Sequence, residues 1–121
     1  MSITPGEFIE SLTSSFPELR SLLETHLADN AGEVLHHVFL GEVVFWLVKL
    51  YSAHKGDHES MLLIHRLITF IEDAFVRGDE ATQELIAVSF VENLPSTGEP
   101  GASIRQFLGP ALEEQFQRLN W

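Results

Sequence analysis

The stretch Glu33-Val34-Leu35-His36-His37-Val38-Phe39-Leu40-Gly41-Glu42-Val43-Val44-Phe45-Trp46-Leu47-Val48-Lys49-Leu50-Tyr51-Ser52-Ala53 decides how this chain folds. Read as a helix, at about 100° per residue, it sends apolar side chains in nearly every direction, and Glu42 and Lys49 alone mark a narrow polar seam. A helix apolar all round is enclosed, at the centre of a domain or at an interface with a subunit or partner. The central core is the expected place. Its most apolar run, Val38 to Val48, contains Gly41 and Glu42 and falls short of the ~20 apolar residues that cross a bilayer.

On either side the chain is punctuated for helices. His54-Lys55-Gly56-Asp57 is a loop, with Gly56 suited to end one helix and Asp57 to cap the next. Residues 58–77 follow as an amphipathic helix. Met61, Leu63, Ile64, Leu67, Ile68, Phe70, Ile71, Ala74 and Phe75 form one half, and His58, His65, Arg66, Thr69, Glu72 and Asp73 form the other. Gly78 ends it, and Asp79-Glu80 begin another helix with charges that favour its N-terminus. Within that helix Ile86-Ala87-Val88-Ser89-Phe90-Val91 is β-branched enough for a short buried strand, but nothing else in the chain offers a partner strand, so helix is the reading.

Upstream, Thr4-Pro5-Gly6-Glu7 has the hydroxyl, proline and glutamate of a helix start, and Phe8, Ile9, Leu12 and Phe16 recur on one face. Pro17 breaks that helix, with Ser15 and Glu18 as a second capping pair. Leu19, Leu22, Leu23 and Leu27 make the next stripe, which closes at Asp29-Asn30-Ala31-Gly32. Downstream, Pro95-Ser96-Thr97-Gly98-Glu99-Pro100-Gly101 is a loop. Ile104, Phe107, Leu108, Ala111, Leu112, Phe116 and Leu119 then hold one helical phase across Gly109-Pro110, as a kinked helix or as two short ones docked end to end. Trp121 either docks on the core or anchors a partner. The expected fold is one all-α domain over residues 1–121, a compact bundle of five to six antiparallel helices around a central hairpin formed by 33–53 and 58–77.

Composition narrows the function. The chain has 121 residues, 45% hydrophobic, with 18 acidic and 7 basic side chains and a net charge of −11. So acidic a surface argues against nucleic-acid binding, which needs lysine and arginine against phosphate. Neither a signal peptide nor a membrane span is read, and there is no cysteine. A cytoplasmic location is therefore the expectation. The acids concentrate at the two ends: six against Arg20 in residues 1–33, and seven against Arg105 and Arg118 in residues 78–121. In residues 34–77, Glu42, Asp57, Glu59, Glu72 and Asp73 nearly balance Lys49, Lys55, Arg66 and Arg77.

The chain carries no GxSxG elbow, HExxH pair or phosphate loop, and no catalytic residue or cofactor is assigned. Six histidines are present: His26, His36, His37, His54, His58 and His65, and ordinary solvated histidines are the expected reading. A metal centre would draw on His58, His65 and Glu72, which share one side of a helix but stand about 10 Å apart, with His37 or Glu33 from another helix. The charge favours a non-enzymatic domain that binds a basic protein, with Asp79, Glu80 and Glu84 in the contact. A metal-binding protein or enzyme using the histidine cluster is one alternative, and a homodimeric scaffold with 33–53 partly at its interface is the other.

The runs Ile86-Ala87-Val88-Ser89-Phe90-Val91-Glu92-Asn93-Leu94-Pro95 and Ile104-Arg105-Gln106-Phe107-Leu108-Gly109-Pro110 resemble a small helical bacterial family of unassigned function. Its members are similar to acidic immunity proteins of polymorphic toxin systems, which protect bacteria from toxins aimed at neighbouring cells. The likeness covers about residues 33–120 in general layout. It implies a compact helical protein that blocks a cognate toxin in the cytoplasm without catalysis, and it carries over no site residues.

Overall fold

Thr4 opens the first helix as its residues require: its hydroxyl accepts the Glu7 N–H at 3.2 Å, and Glu7 Oε1 accepts the Thr4 N–H at 3.0 Å. The computed structural model, which describes residues 2–119, is all-α from there on. Helix α1 runs Pro5–Ser15 and α2 Arg20–Asp29, joined by a single 3₁₀ turn, Pro17–Leu19. The second capping pair does not form. Ser15 is the last residue of α1, and Phe16, which has no side-chain acceptor, takes the N-cap place before Pro17.

Helix α3 spans His36–Ala53, starting three residues later than the sequence pattern predicts because Leu35 is extended. It ends at His54 rather than at Gly56, with the His54 N–H bonded to the Leu50 carbonyl. Helix α4, His58–Arg77, has Asp57 as its N-cap, as expected, its carboxylate accepting the Ser60 N–H and hydroxyl. Asp79 likewise caps α5, Glu80–Ile86, by accepting the Thr82 N–H at 2.8 Å. The segment expected to be helical in spite of its β-branching is helical, but in a wide form: Ala87–Val91 is π-helix, with the Glu92 N–H reaching back to the Ala87 carbonyl.

After the loop comes a 3₁₀ helix, Ala102–Phe107, and then α6, Pro110–Leu119. Of the two arrangements open at Gly109-Pro110, the structure has two separate pieces. Leu108 is extended, and a Cβ on Gly109 would stand 2.5 Å from the Glu72 carboxyl carbon. Trp121 lies outside the described residues.

α3 packs against α1, α2, α4, α5 and the π-helical turn, while α4 adds α6 and the 3₁₀ helix. Phe8, Leu12, Phe39, Leu40, Leu47, Ile64, Leu67, Ile71, Phe90, Ile104 and Leu112 meet in one core. The chain start is stapled to the α4–α5 corner: Ile3 exchanges backbone bonds with Arg77 and Asp79, and its carbonyl also accepts the Thr82 hydroxyl. Tyr51 ties the end of α3 to the 3₁₀ helix through Ser103 Oγ at 2.6 Å and Gln106 Nε2 at 3.1 Å. No helix among the described residues is long and apolar enough to cross a membrane.

The hydrogen bonds from Ser60 hold the Asp57 carboxyl below its ordinary value of 3.8. A folded-state value below the unfolded one means that the cap stabilises the protein above that ordinary value and stops doing so as pH falls through the lowered one. Asp57→Ala should therefore lower the melting temperature at pH 7, and the gap to the parent chain should narrow in melts taken progressively below pH 3.8.

Candidate functional site

A repeat of four, three and four residues places Val38, Glu42, Phe45 and Lys49 on one stripe of α3. The neighbouring elements cover the other sides of the helix, but this stripe is open. Phe45 is 70% exposed and Val38 50%. The expected enclosure of α3 on all sides is thus corrected: its circumference is longer than its neighbours can cover, and the outer stripe faces solvent. Two shallow grooves flank Phe45. One, about 430 Å³, is lined by Leu22 of α2 and by Val38, Gly41, Glu42, Phe45, Trp46 and Lys49. The other, about 280 Å³, runs along Gly41, Val44, Phe45 and Val48 to Asn93 and Pro95. Gly41 belongs to both, because its missing side chain lowers the helix surface beside the ring. Lys49 Nζ sits 5.9 Å from the Phe45 ring centroid.

Beneath the stripe lies His26, only 1% exposed. Its Nε2 accepts the Leu35 N–H at 3.0 Å, which puts the ring proton on Nδ1, where it donates to Glu42 Oε1 at 3.1 Å. Its ring also packs edge-on against Phe39. One side chain of α2 therefore satisfies a backbone donor at the start of α3 and orients a carboxylate one turn into it. This corrects the reading of His26 as a solvated histidine. The signal was present in the sequence, since position 26 falls in phase with Leu19, Leu22 and Leu23 on the apolar stripe of α2.

The residues proposed for a metal centre are not brought together. Among the described residues, no group of three or more histidine, aspartate or glutamate side chains could hold a metal ion. His37 Nδ1 is hydrogen-bonded to Ser89 Oγ of the π-helical turn at 2.6 Å. His58 and His65 are exposed on α4, with the His65 ring against Phe107. Glu72 faces the start of α6, where its two oxygens accept the Ala111 N–H at 2.8 Å and the Leu112 N–H at 3.0 Å. A carboxylate at a helix N-terminus also meets the positive end of the helix dipole.

Of the acids proposed for a partner contact, Asp79 is half-buried and engaged as the α5 cap. Glu80 and Glu84 are exposed, and neither forms an ion pair among the described residues. Both stand on α5, which packs against α1.

Residues 9–121 match the family described as "Domain of unknown function (DUF7674)", and the chain belongs to that family. No curated protein and no solved structure matches it.

The two polar links at His26 and Glu72 should behave as structural elements. His26→Ala, which strands the Leu35 N–H and leaves a void against Phe39, should cost about 2–4 kcal/mol of unfolding free energy in urea titrations. Glu72→Ala should cost about 2 kcal/mol by removing two charge-assisted bonds, while zinc or manganese should leave the parent melting temperature unchanged.

Proposed function

We propose that this member of the DUF7674 family is a non-enzymatic protein-binding domain. The observation that carries the reading is Phe45, a large aromatic ring left 70% exposed in the middle of the helix that otherwise forms the core. Burying such a side chain fully contributes roughly 2–3 kcal/mol. Rings flanked by shallow apolar ground are the kind of anchor that concentrates binding energy at protein interfaces. Two charged groups flank it: Glu42, oriented by His26 through one carboxylate oxygen, and Lys49, over the ring itself.

The finer form of the proposal is an immunity role, in which the domain binds a basic bacterial toxin in the cytoplasm and neutralises it. The net charge of −11 supports it, as do Glu80 and Glu84 on α5, which form no ion pair among the described residues, because an acidic field accelerates encounter with a basic surface. Asp79 adds its charge to that field while remaining the helix cap. The resemblance of the two C-terminal runs to a family similar to immunity proteins points the same way.

The test is affinity capture from the native host at low and moderate salt, followed by kinetics on what is captured. One stoichiometric basic protein that dissociates as salt rises is the expected result. Glu80→Lys combined with Glu84→Lys should then slow association by roughly tenfold at low salt and flatten its salt dependence, whereas unchanged rate constants would remove α5 from the contact.

A further inference from the structure

We infer that the outer stripe of α3 pairs with the same stripe of a second copy of this chain, antiparallel, about a two-fold axis passing between Phe45 and Trp46. The inference rests on the reading of this stripe as a contact surface and names its occupant.

Charge and symmetry favour this pairing. Glu42 and Lys49 are seven residues apart, about 10.5 Å along the helix. At ~100° per residue they lie within ~20° of each other, on the same side of Phe45. A two-fold axis perpendicular to α3 and midway between them keeps that side on the same side and reverses the helix direction. Each Glu42 then stands level with the partner copy's Lys49, and each Lys49 level with the partner copy's Glu42. A contact made by one patch on both copies has to be complementary to itself, and an acid and a base placed symmetrically about an apolar centre meet that condition.

That centre is Phe45 and Trp46. The Phe45 ring is exposed beside a groove lined by Gly41, Leu22 and Trp46, so each copy offers both a ring and a recess. The charged groups are available. Lys49 makes no ion pair among the described residues, and Glu42 uses only Oε1 on His26 and leaves Oε2 open. Two chains of −11 repel, and the stripe itself, with one acid and one base, brings no net charge into the contact. The acids of α5 belong to the acidic C-terminal third and are not needed in this contact.

Light scattering and sedimentation of the purified full chain between 1 and 100 µM should show a dimer. Phe45→Asp should be monomeric over the same range. Lys49→Glu, at an exposed position that leaves the core untouched, sets carboxylate against carboxylate twice in the dimer and should weaken association about tenfold. Adding Glu42→Lys to it restores two opposite-charge pairs and should recover most of the loss. Because Glu42 also holds His26, that double variant is checked by thermal melting. If it does not fold, Lys49→Glu alone reads the register, and unchanged association in that variant overturns the pairing. A parent chain that is monomeric at 100 µM overturns the inference altogether. Since self-association is read on the pure protein, that outcome leaves the protein-binding reading to be decided by the capture experiment.

Discussion

The apolar circumference of α3 is the constraint from which the rest of this structure follows. A helix with Val, Leu, Phe or Trp pointing nearly every way cannot lie on a surface as an ordinary amphipathic helix does, so the other elements have to be arranged around it. Helices α1, α2, α4 and α5 and the π-helical turn all touch it, and their own stripes are narrower because each has only one side to bury. With 121 residues the chain has too few elements to close the ring. The side left over is the one that carries the single near-seam of charge, Glu42 and Lys49, together with Phe45.

Where packing partly covers a helix start, its free N–H groups need acceptors within the protein. This chain finds them at long range. Glu72, on α4, closes the start of α6 with both carboxylate oxygens, and His26, on α2, takes the Leu35 N–H just ahead of α3. Both residues belong to types usually assigned to chemistry, and both are engaged in joining one helix to another. Gly109 has the complementary role, since any side chain there would occupy the space in which the Glu72 carboxylate reaches α6. A polar residue and a small residue nearly forty positions apart thus specify the same junction.

How much of this was legible in the sequence divides along the range of the interactions. The caps at Thr4 and Asp57 were readable because the side chain and the N–H it accepts are three residues apart. The break at Pro17 and the all-α class were readable because proline and a 3.6-residue period act locally. The delayed start of α3, the two pieces around Gly109-Pro110 and the engagement of His26 and Glu72 depend on partners 9 to 40 residues away, which no local pattern encodes. Position 26 did announce its burial through its phase on α2. The exposure of Phe45 had no such signal, because hydrophobicity on every face says that a helix is enclosed without saying by what.

The widened turn at Ala87–Val91 has a consequence of another kind. Its Glu92-to-Ala87 hydrogen bond spans one residue more than an α-helical bond, so the turn accommodates an extra amino acid while Leu85 and Ile86 before it, Val91 at its end and Leu94 after it all remain on the core side. A family member lacking one residue here would close an ordinary α-turn and still present the same flanking side chains inward. Shortening the helix by one residue at this point leaves the heading of its buried side chains unchanged.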